Sequence, residues 1–457
     1  MNLVKIVIKN MRQRALATWL TGTSVALGVA LAVAIVLIKQ GVQQRFEQGT
    51  LGYEMVVGAK GSPLQLVLNT VYNLDISPGN IPWKLFEQLR SDPRVKLAVP
   101  FSVGDNFHGF RIVGTTDAFF KDFEFEPGRK PELEGGRIFT FSEGALKSAF
   151  REAEERAKER EARERGEEYK PPATPENEVT NRPFEAVIGS TVARETGLQI
   201  GQTFIAAHGV QPSAEAKEHT ENPWTVVGIL KPTQTAVDRA IYINLDSFYH
   251  IEGHELRGAV APVKEKAEEK DNDPDPGQVS SIVLKLRSPI HAFPLYREIN
   301  DREDAQAAFP ANEIRKLFSI VGNIDRLLFA QAVLVLIVAG VAITVSIYNS
   351  MSERRREIAI LRALGARRAT IFSIVLLEAM TICILGAAAG MLGGHLVVAA
   401  ANGALYRASG FVIPAFHTQP LEWYILAVAV ILGAISGIGP AWGAYRTDVA
   451  KNLAPSS

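Results

Sequence analysis

Four apolar stretches, roughly Ala15–Ile38, Leu327–Tyr348, Ala369–Ala401 and Leu421–Trp442, constrain this chain more than any other feature of its sequence. A helix needs about twenty apolar residues to cross the hydrocarbon core of a bilayer, and each stretch reaches that length. Backbone polar groups in lipid must be satisfied within the segment, so the four stretches are expected as helices. The mean hydropathy of +0.06 therefore averages two opposite populations, lipid-facing spans and a large polar remainder. With 49 basic and 49 acidic residues, the charge balance points away from a nucleic-acid partner. The one cysteine, Cys383, falls inside an apolar stretch, which leaves no disulfide framework and no cysteine metal site.

Basic residues orient the spans. Lys5, Lys9, Arg12 and Arg14 precede the first. Its apolar length exceeds the 7–15 residues of a signal-peptide core, so a retained anchor is expected. Six arginines (Arg354, Arg355, Arg356, Arg362, Arg367 and Arg368) lie between the second and third spans, and Arg446 and Lys451 follow the fourth. The short loop Asn402–Pro420 carries Arg407 alone. Lysine and arginine in short loops mark the cytoplasmic side. The expected order is thus 1–39 (cytoplasmic N-terminus and first span), 40–326 (an extracytoplasmic domain), 327–348, 369–401 and 421–442 (the remaining spans), 349–368 (a cytoplasmic segment), 402–420 (an external loop) and 443–457 (a cytoplasmic tail). Glycines crowd the third and fourth spans at three- and four-residue spacing, among them Gly386, Gly390, Gly394, Gly433 and Gly437. Such spacing permits close helix approach, within the chain or across a dimer seam. Glu378, near the start of the third span, is expected to pair with an arginine such as Arg368.

The stretch Gln40–Arg326 alternates strand-like and helical runs, as in a mixed α+β domain. Val95–Pro100, Phe110–Gly114, Phe184–Gly189, Gln202–Ala207, Trp224–Leu230, Ala240–Asn244 and Ser281–Arg287 read as strands. Pro82–Arg90 and Ser190–Thr196 read as helices. Phe150–Tyr169, dense in Arg and Glu, reads as a solvated helix leading to a proline linker, a charged insertion over 150–178. Pro262–Gly277 reads as a charged mobile loop, and its Asp271, Asp273 and Asp275 lack the glutamate of a calcium loop. Ala59–Pro82 carries Leu64, Leu66, Val67, Leu68, Val71 and Tyr72. It is either domain core or an amphipathic element at the membrane face that receives a cargo.

Catalytic signatures are missing. There is no G-x-x-x-x-G-K-[ST], so the sequence supplies no phosphate cradle. His250 and His254 lack the glutamate of H-E-x-x-H, His208 has no cysteine or second histidine at ligand spacing, and no G-x-S-x-G occurs. No catalytic, cofactor or metal residues are expected.

Between the second and third spans, Glu353–Leu364 is rich in helix formers, and Ile358, Leu361 and Leu364 fall on one stripe. Gly365 stands where the helix would stop. A basic helix held at the inner membrane face is a docking surface. Ser352–Ala366, SERRREIAILRALGA, resembles the segment that joins the second and third membrane helices of FtsX/MacB-type ABC transporter permeases. Phe184–Thr203 and Trp224–Leu230 resemble the external domain of that family. The resemblance implies a four-helix membrane protein of the bacterial inner membrane with a large α+β, MacB-like periplasmic domain. It implies a non-catalytic permease subunit that borrows ATP-driven motion from a separate cytoplasmic ABC ATPase. Glu353, Arg354, Glu357, Ile358, Leu361, Arg362, Leu364 and Gly365 would form the ATPase-coupling helix. Implied partners are that ATPase, a second permease subunit (identical or not), membrane lipid, and a periplasmic adaptor or lipoprotein. The implied work is export or extraction of a lipoprotein, peptide or amphiphile. The alternative is a regulator relaying ATPase motion to a cell-wall enzyme without transport.

Overall fold

The computed structural model describes residues 3–166, 168–169, 184–209, 219–251, 277–353, 355–363, 365–409 and 413–446. The chain divides into two compact units, Met1–Gln44 with Ser319–Ser457, and Arg45–Phe318. It opens with α1 (Leu3–Gln13) and α2 (Ala15–Gly49). In α1 the side chain of Val7 is buried while Lys5, Lys9 and Arg12 are exposed, so the basic N-terminal segment is itself an amphipathic helix.

The Arg45–Phe318 unit begins with β1 (Met55–Gly58), α3 (Pro63–Tyr72), β2 (Ile81–Pro82), α4 (Trp83–Ser91), β3 (Val95–Phe107) and β4 (Phe110–Thr115). It continues through α5 (Ala118–Lys121), β5 (Leu133–Gly136), α6 (Glu143–Glu164), β6 (Glu185–Ile188), α7 (Ser190–Thr196), β7 (Thr203–Phe204), β8 (Ala207–His208) and β9 (Trp224–Leu230). It closes with β10 (Ala240–Asn244), α8 (Leu245–His250), β11 (Gln278–Val279), β12 (Ser281–Leu286), α9 (Ala292–Asn300) and β13 (Gln306–Ala308). Eleven strands form one mixed sheet in the order β13-β1-β12-β3-β4-β10-β6-β9-β5, with β7 on β9 and β8 on β3. The pairs β4–β10 and β6–β9 are parallel.

Side-chain alternation divides the core between the two faces of this sheet. Ile241 and Ile243 of β10 join Ile112, Ile188, Trp224 and Leu284 in one cluster. Tyr242, between them, stacks at 4.6 Å on Phe119, whose ring lies 5.2 Å from Phe123. Buried on both faces, β10 is apolar throughout apart from Asn244, whereas β9 alternates buried and half-buried positions.

One expectation changes and one open choice is decided in this unit. Helix α6 starts at Glu143, earlier than its charged part, and Leu146, Ala149, Phe150 and Ala153 are buried. Phe150 lies 4.9 Å from the Tyr249 ring of α8, and Arg156 Nη2 donates to the Tyr249 carbonyl at 2.6 Å. The charged run is therefore the outer end of a helix anchored in the core, with Lys158 and Glu154 paired at 2.7 Å. Helix α3 is also core. Leu66, Val67, Val71 and Tyr72 are buried, Leu64 and Leu68 are half-buried, and Ser62 caps the start. Four of these six residues are buried in the domain and two are half-buried, so the run packs as core. The linker after Lys170 and the loop with Asp271, Asp273 and Asp275 lie outside the described residues.

The chain then returns through α10 (Pro310–Glu353), α11 (Arg355–Ala363), α12 (Arg368–Ser409) and α13 (Pro420–Tyr445). Among the described residues four helical segments are long and apolar enough to span a bilayer: Ala15–Gly49, Arg326–Asn349, Arg368–Tyr406 and Pro420–Gly443. Their packing answers the question posed by the glycines. A Cβ at Gly386 would stand 2.8 Å from the Gly22 carbonyl oxygen, and one at Gly390 would stand 2.5 Å from that of Ala26. At Gly394 it would meet Val33 Cβ at 2.8 Å. This i, i+4, i+8 ladder lets α12 lie directly on α2. Gly433 and Gly437 do the same for α13 against Cys383 and Ala379 of α12. Thr344 Oγ1 donates to the Ser436 carbonyl at 3.1 Å, tying α10 to α13. A buried polar pair joins α12 to the start of α13. His395 Nε2 lies 3.0 Å from Glu422 Oε2, and Gln419 N–H donates to Glu422 Oε1 at 2.8 Å, which caps the helix.

Candidate functional site

The segment between the second and third membrane helices is built from α11 and a glycine turn. Arginine, isoleucine, leucine and alanine favour the helix over Arg355–Ala363. Gly365, at φ 98°, ends it, and its N–H donates to the Arg362 carbonyl at 3.0 Å. Nothing lies within 4 Å of where a Gly365 Cβ would be. The demand for glycine is thus conformational: positive φ costs an L-residue about 1–2 kcal/mol. Three residues later Arg368 starts α12, its guanidinium 5.7 Å from the centre of the Tyr445 ring. Arg446, at the end of the described chain, stands 5.2 Å over Trp442. Glu378, for which pairing with Arg368 was expected, is buried within the membrane unit.

The residues expected to couple to an ATPase fall unevenly on this frame. Ile358 is buried, and Ala359 beside it is fully so; Ile358 packs in the apolar core of the membrane unit. Its side chain turns inward, the opposite of what a contact residue requires. Ile360, which lies off the stripe, is a large apolar side chain of α11, exposed at 44%. Arg362 is half-buried, and Arg367 and Arg368 are exposed. Arg354 and Leu364 lie outside the described residues. Glu353, Glu357 and Leu361 lie in helices, with their side chains outside what is described. Of the stripe Ile358, Leu361 and Leu364, Ile358 alone has a described side chain, and it lies on a buried apolar face with Ala359. Whether that face turns toward the bundle or away from it depends on how α11 is attached, which periodicity does not contain.

The fold also assembles a group that spacing alone kept apart. Asp105, His208 and His219 each place one ligand-type atom within 4.8 Å of the others. His208 does therefore have a histidine neighbour, eleven positions along the chain, which corrects the expectation that no metal-type cluster exists. The separation is too long for a local ligand template, and Asp105 arrives from a different strand. The one sequence signal was the presence of two histidines flanking a short segment after a strand. His250 instead pairs with Glu152 at 3.0 Å, and His254 lies outside the described residues.

Four bilayer-length helices, a basic helix and glycine turn between the second and third, and a large α/β unit after the first make up the described architecture. Residues 329–449 match the family model described as FtsX-like permease C-terminal. The chain is 25% identical over 243 residues to the macrolide export ATP-binding/permease protein MacB of Neisseria meningitidis, covering 51% of this chain and 33% of that protein. It is 26% identical over 234 residues to an uncharacterized ABC transporter permease of Methanocaldococcus jannaschii, covering 51% of this chain and 55% of that one. The matched part of the chain thus spans about a third of the length of its MacB relative and about half of the archaeal one. The periplasmic region of MacB from Actinobacillus actinomycetemcomitans superposes at 11% identity with a TM-score of 0.31, covering 59% of this chain and 94% of that structure. Residues 329–449 thus carry an FtsX-like permease C-terminal domain, and the chain is similar to ABC transporter permeases of the FtsX/MacB type.

Proposed function

We propose that this chain is the permease subunit of an ABC complex, driven by an ATP-binding-cassette ATPase that docks on Glu353–Gly365 from the cytoplasm. The Arg45–Phe318 unit lies outside the membrane and converts that motion into export or extraction of a lipoprotein, peptide or amphiphile. The carrying observation is a short basic helix, closed by a glycine at positive φ, held between two membrane spans. A helix so placed has lost its backbone freedom before binding, which lowers the entropic cost of docking. Exposed arginines at its end suit an acidic rim or lipid phosphate. The sequence has no phosphate loop of its own, so in this reading ATP hydrolysis belongs to a partner chain. The positive charge around α11 and the N-terminal helix supports a cytoplasmic position for both.

The test is co-purification of the native complex from membranes. Ile360→Asp and Leu361→Asp should each lose the ATPase while the permease still inserts. ATPase recovery equal to wild type from both variants sinks the docking assignment. Orientation is checked separately. The native Cys383 is buried, so a cysteine introduced at the exposed Lys147 reports alone to a membrane-impermeant maleimide. Labelling in intact spheroplasts is expected, and labelling only after lysis would invert the topology.

A further inference from the structure

We propose that Asp105, His208 and His219 form a binding site for one divalent transition-metal ion on the α/β unit. The site is assembled by backbone pairing. Asp105 and His208 are direct partners across the antiparallel β3–β8 pair, which puts both side chains on one face. A register shift between Val103 and Asn106 in the β3–β4 ladder frames Asp105, and such bulges re-aim side chains. The His219 N–H donates to the Ala206 carbonyl at 2.9 Å, which holds its backbone beside the residue preceding β8. Asn106 adds support by donating from Nδ2 to the Gly209 carbonyl at 2.7 Å, while the Gly209 N–H donates to the Gly104 carbonyl, also at 2.7 Å.

Two of the three ligand-atom separations suit coordination better than hydrogen bonding, and the third is within 4.8 Å. His208 Nδ1 and His219 Nε2 lie 3.5 and 3.4 Å from the same oxygen, Asp105 Oδ1. Hydrogen bonds of this type centre at about 2.9–3.0 Å. Ligand atoms about 2.0–2.2 Å from a tetrahedral zinc ion stand about 3.3–3.5 Å apart. Two imidazoles and one carboxylate favour zinc or a neighbouring transition ion over calcium or magnesium, which take oxygen. Asp105 is fully buried, which favours a carboxylate bound to a cation, whereas the His208 side chain is 47% exposed. Three protein ligands with one open side leave a position for water, as in exchangeable zinc sites. The ion would fasten the two-residue strand β8 and the backbone at His219 to β3.

The experiment uses the full-length protein in detergent, purified without a polyhistidine tag, stripped with chelator and titrated with Zn2+ by calorimetry, with elemental analysis for stoichiometry. One ion per chain is expected. His208→Ala is the deciding variant, because a half-exposed ring at the surface can be removed without unfolding the domain. It should weaken binding by at least about a hundredfold, more than loss of an outer partner costs. Asn106→Ala, which removes a backbone brace and no ligand, should weaken it less than His208→Ala does. Co2+ in place of Zn2+ should give tetrahedral visible bands that vanish in His219→Ala. Absence of stoichiometric binding by the wild-type chain overturns the site, and so does wild-type affinity in His208→Ala.

Discussion

The contact between α2 and α12 gives the sharpest quantitative test of the membrane unit. Gly390 and Gly393 sit three residues apart on α12, yet their surroundings differ. A methyl at 390 would stand 2.5 Å from the Ala26 carbonyl oxygen and 2.8 Å from Val29 Cβ, atoms of backbone and rigid side chain that cannot swing aside. A methyl at 393 would meet Ala30 Cβ at 3.5 Å, an ordinary contact. Alanine improves helix propensity by about 1 kcal/mol at either position, so the difference between the two variants isolates the clash. Overpacking typically costs about 1–3 kcal/mol. Much of that arises because a gap of about 0.5–1 Å along the seam forfeits a quarter to a half of each dispersion contact. Gly390→Ala should therefore be about 1–3 kcal/mol less stable than Gly393→Ala. The assay follows modification of Cys383, the single cysteine and fully inside the bundle, during titration from mild detergent into SDS. Equal midpoints for the two variants would refute the close approach of α12 to α2.

Other outcomes follow from the same geometry. Gly365→Ala should cost about 1–2 kcal/mol of local conformational strain and reduce ATPase recovery, while Ala363→Gly, with no such backbone demand, should leave recovery nearer wild type. Phe150→Ala should destabilise the α/β unit by about 3–5 kcal/mol, and Lys158→Ala, which removes only an exposed i,i+4 ion pair, by less than about 0.5 kcal/mol, both read by chemical denaturation. The Glu185 carboxyl is raised by burial, but Arg137 and the Thr140 N–H, which donates to Oε2 at 2.7 Å, outweigh that and hold it below its ordinary value. A lowered carboxylate stabilises the fold above its unfolded-state pKa and loses that contribution as pH falls through the folded value. Arg137→Gln should thus cost more stability at pH 7 than at pH 4, and a loss independent of pH would remove the pairing argument.

Much of the architecture was legible because period and composition carry it. The four membrane helices lie where the apolar runs placed them, and Ser190–Thr196, Trp224–Leu230 and Ala240–Asn244 coincide with α7, β9 and β10. Helix α6 was misread because its charged outer half dominates the local composition, while Leu146, Ala149, Phe150 and Ala153, among its buried residues, anchor it. Helix α3 shows the converse: an apolar run long enough to suggest a special role is ordinary core once β1, β12 and β13 lie over it. Ile358 is buried and Ile360 exposed for the same reason, since a helical stripe has a direction only relative to what it packs on.

The sequence by itself determined which four stretches are long and apolar enough to cross a membrane, which short segments carry the positive charge, and that the helix before Gly365 stops there. Those properties depend on local solvation and backbone energetics, which neighbouring residues set. Tertiary structure decided which glycines touch α2, which side of α11 stays open, and that an aspartate on β3 meets two histidines from β8 and from the segment before β9. These depend on strand register and helix rotation, through which residues more than a hundred positions apart come within a few ångströms. No local pattern encodes that distance.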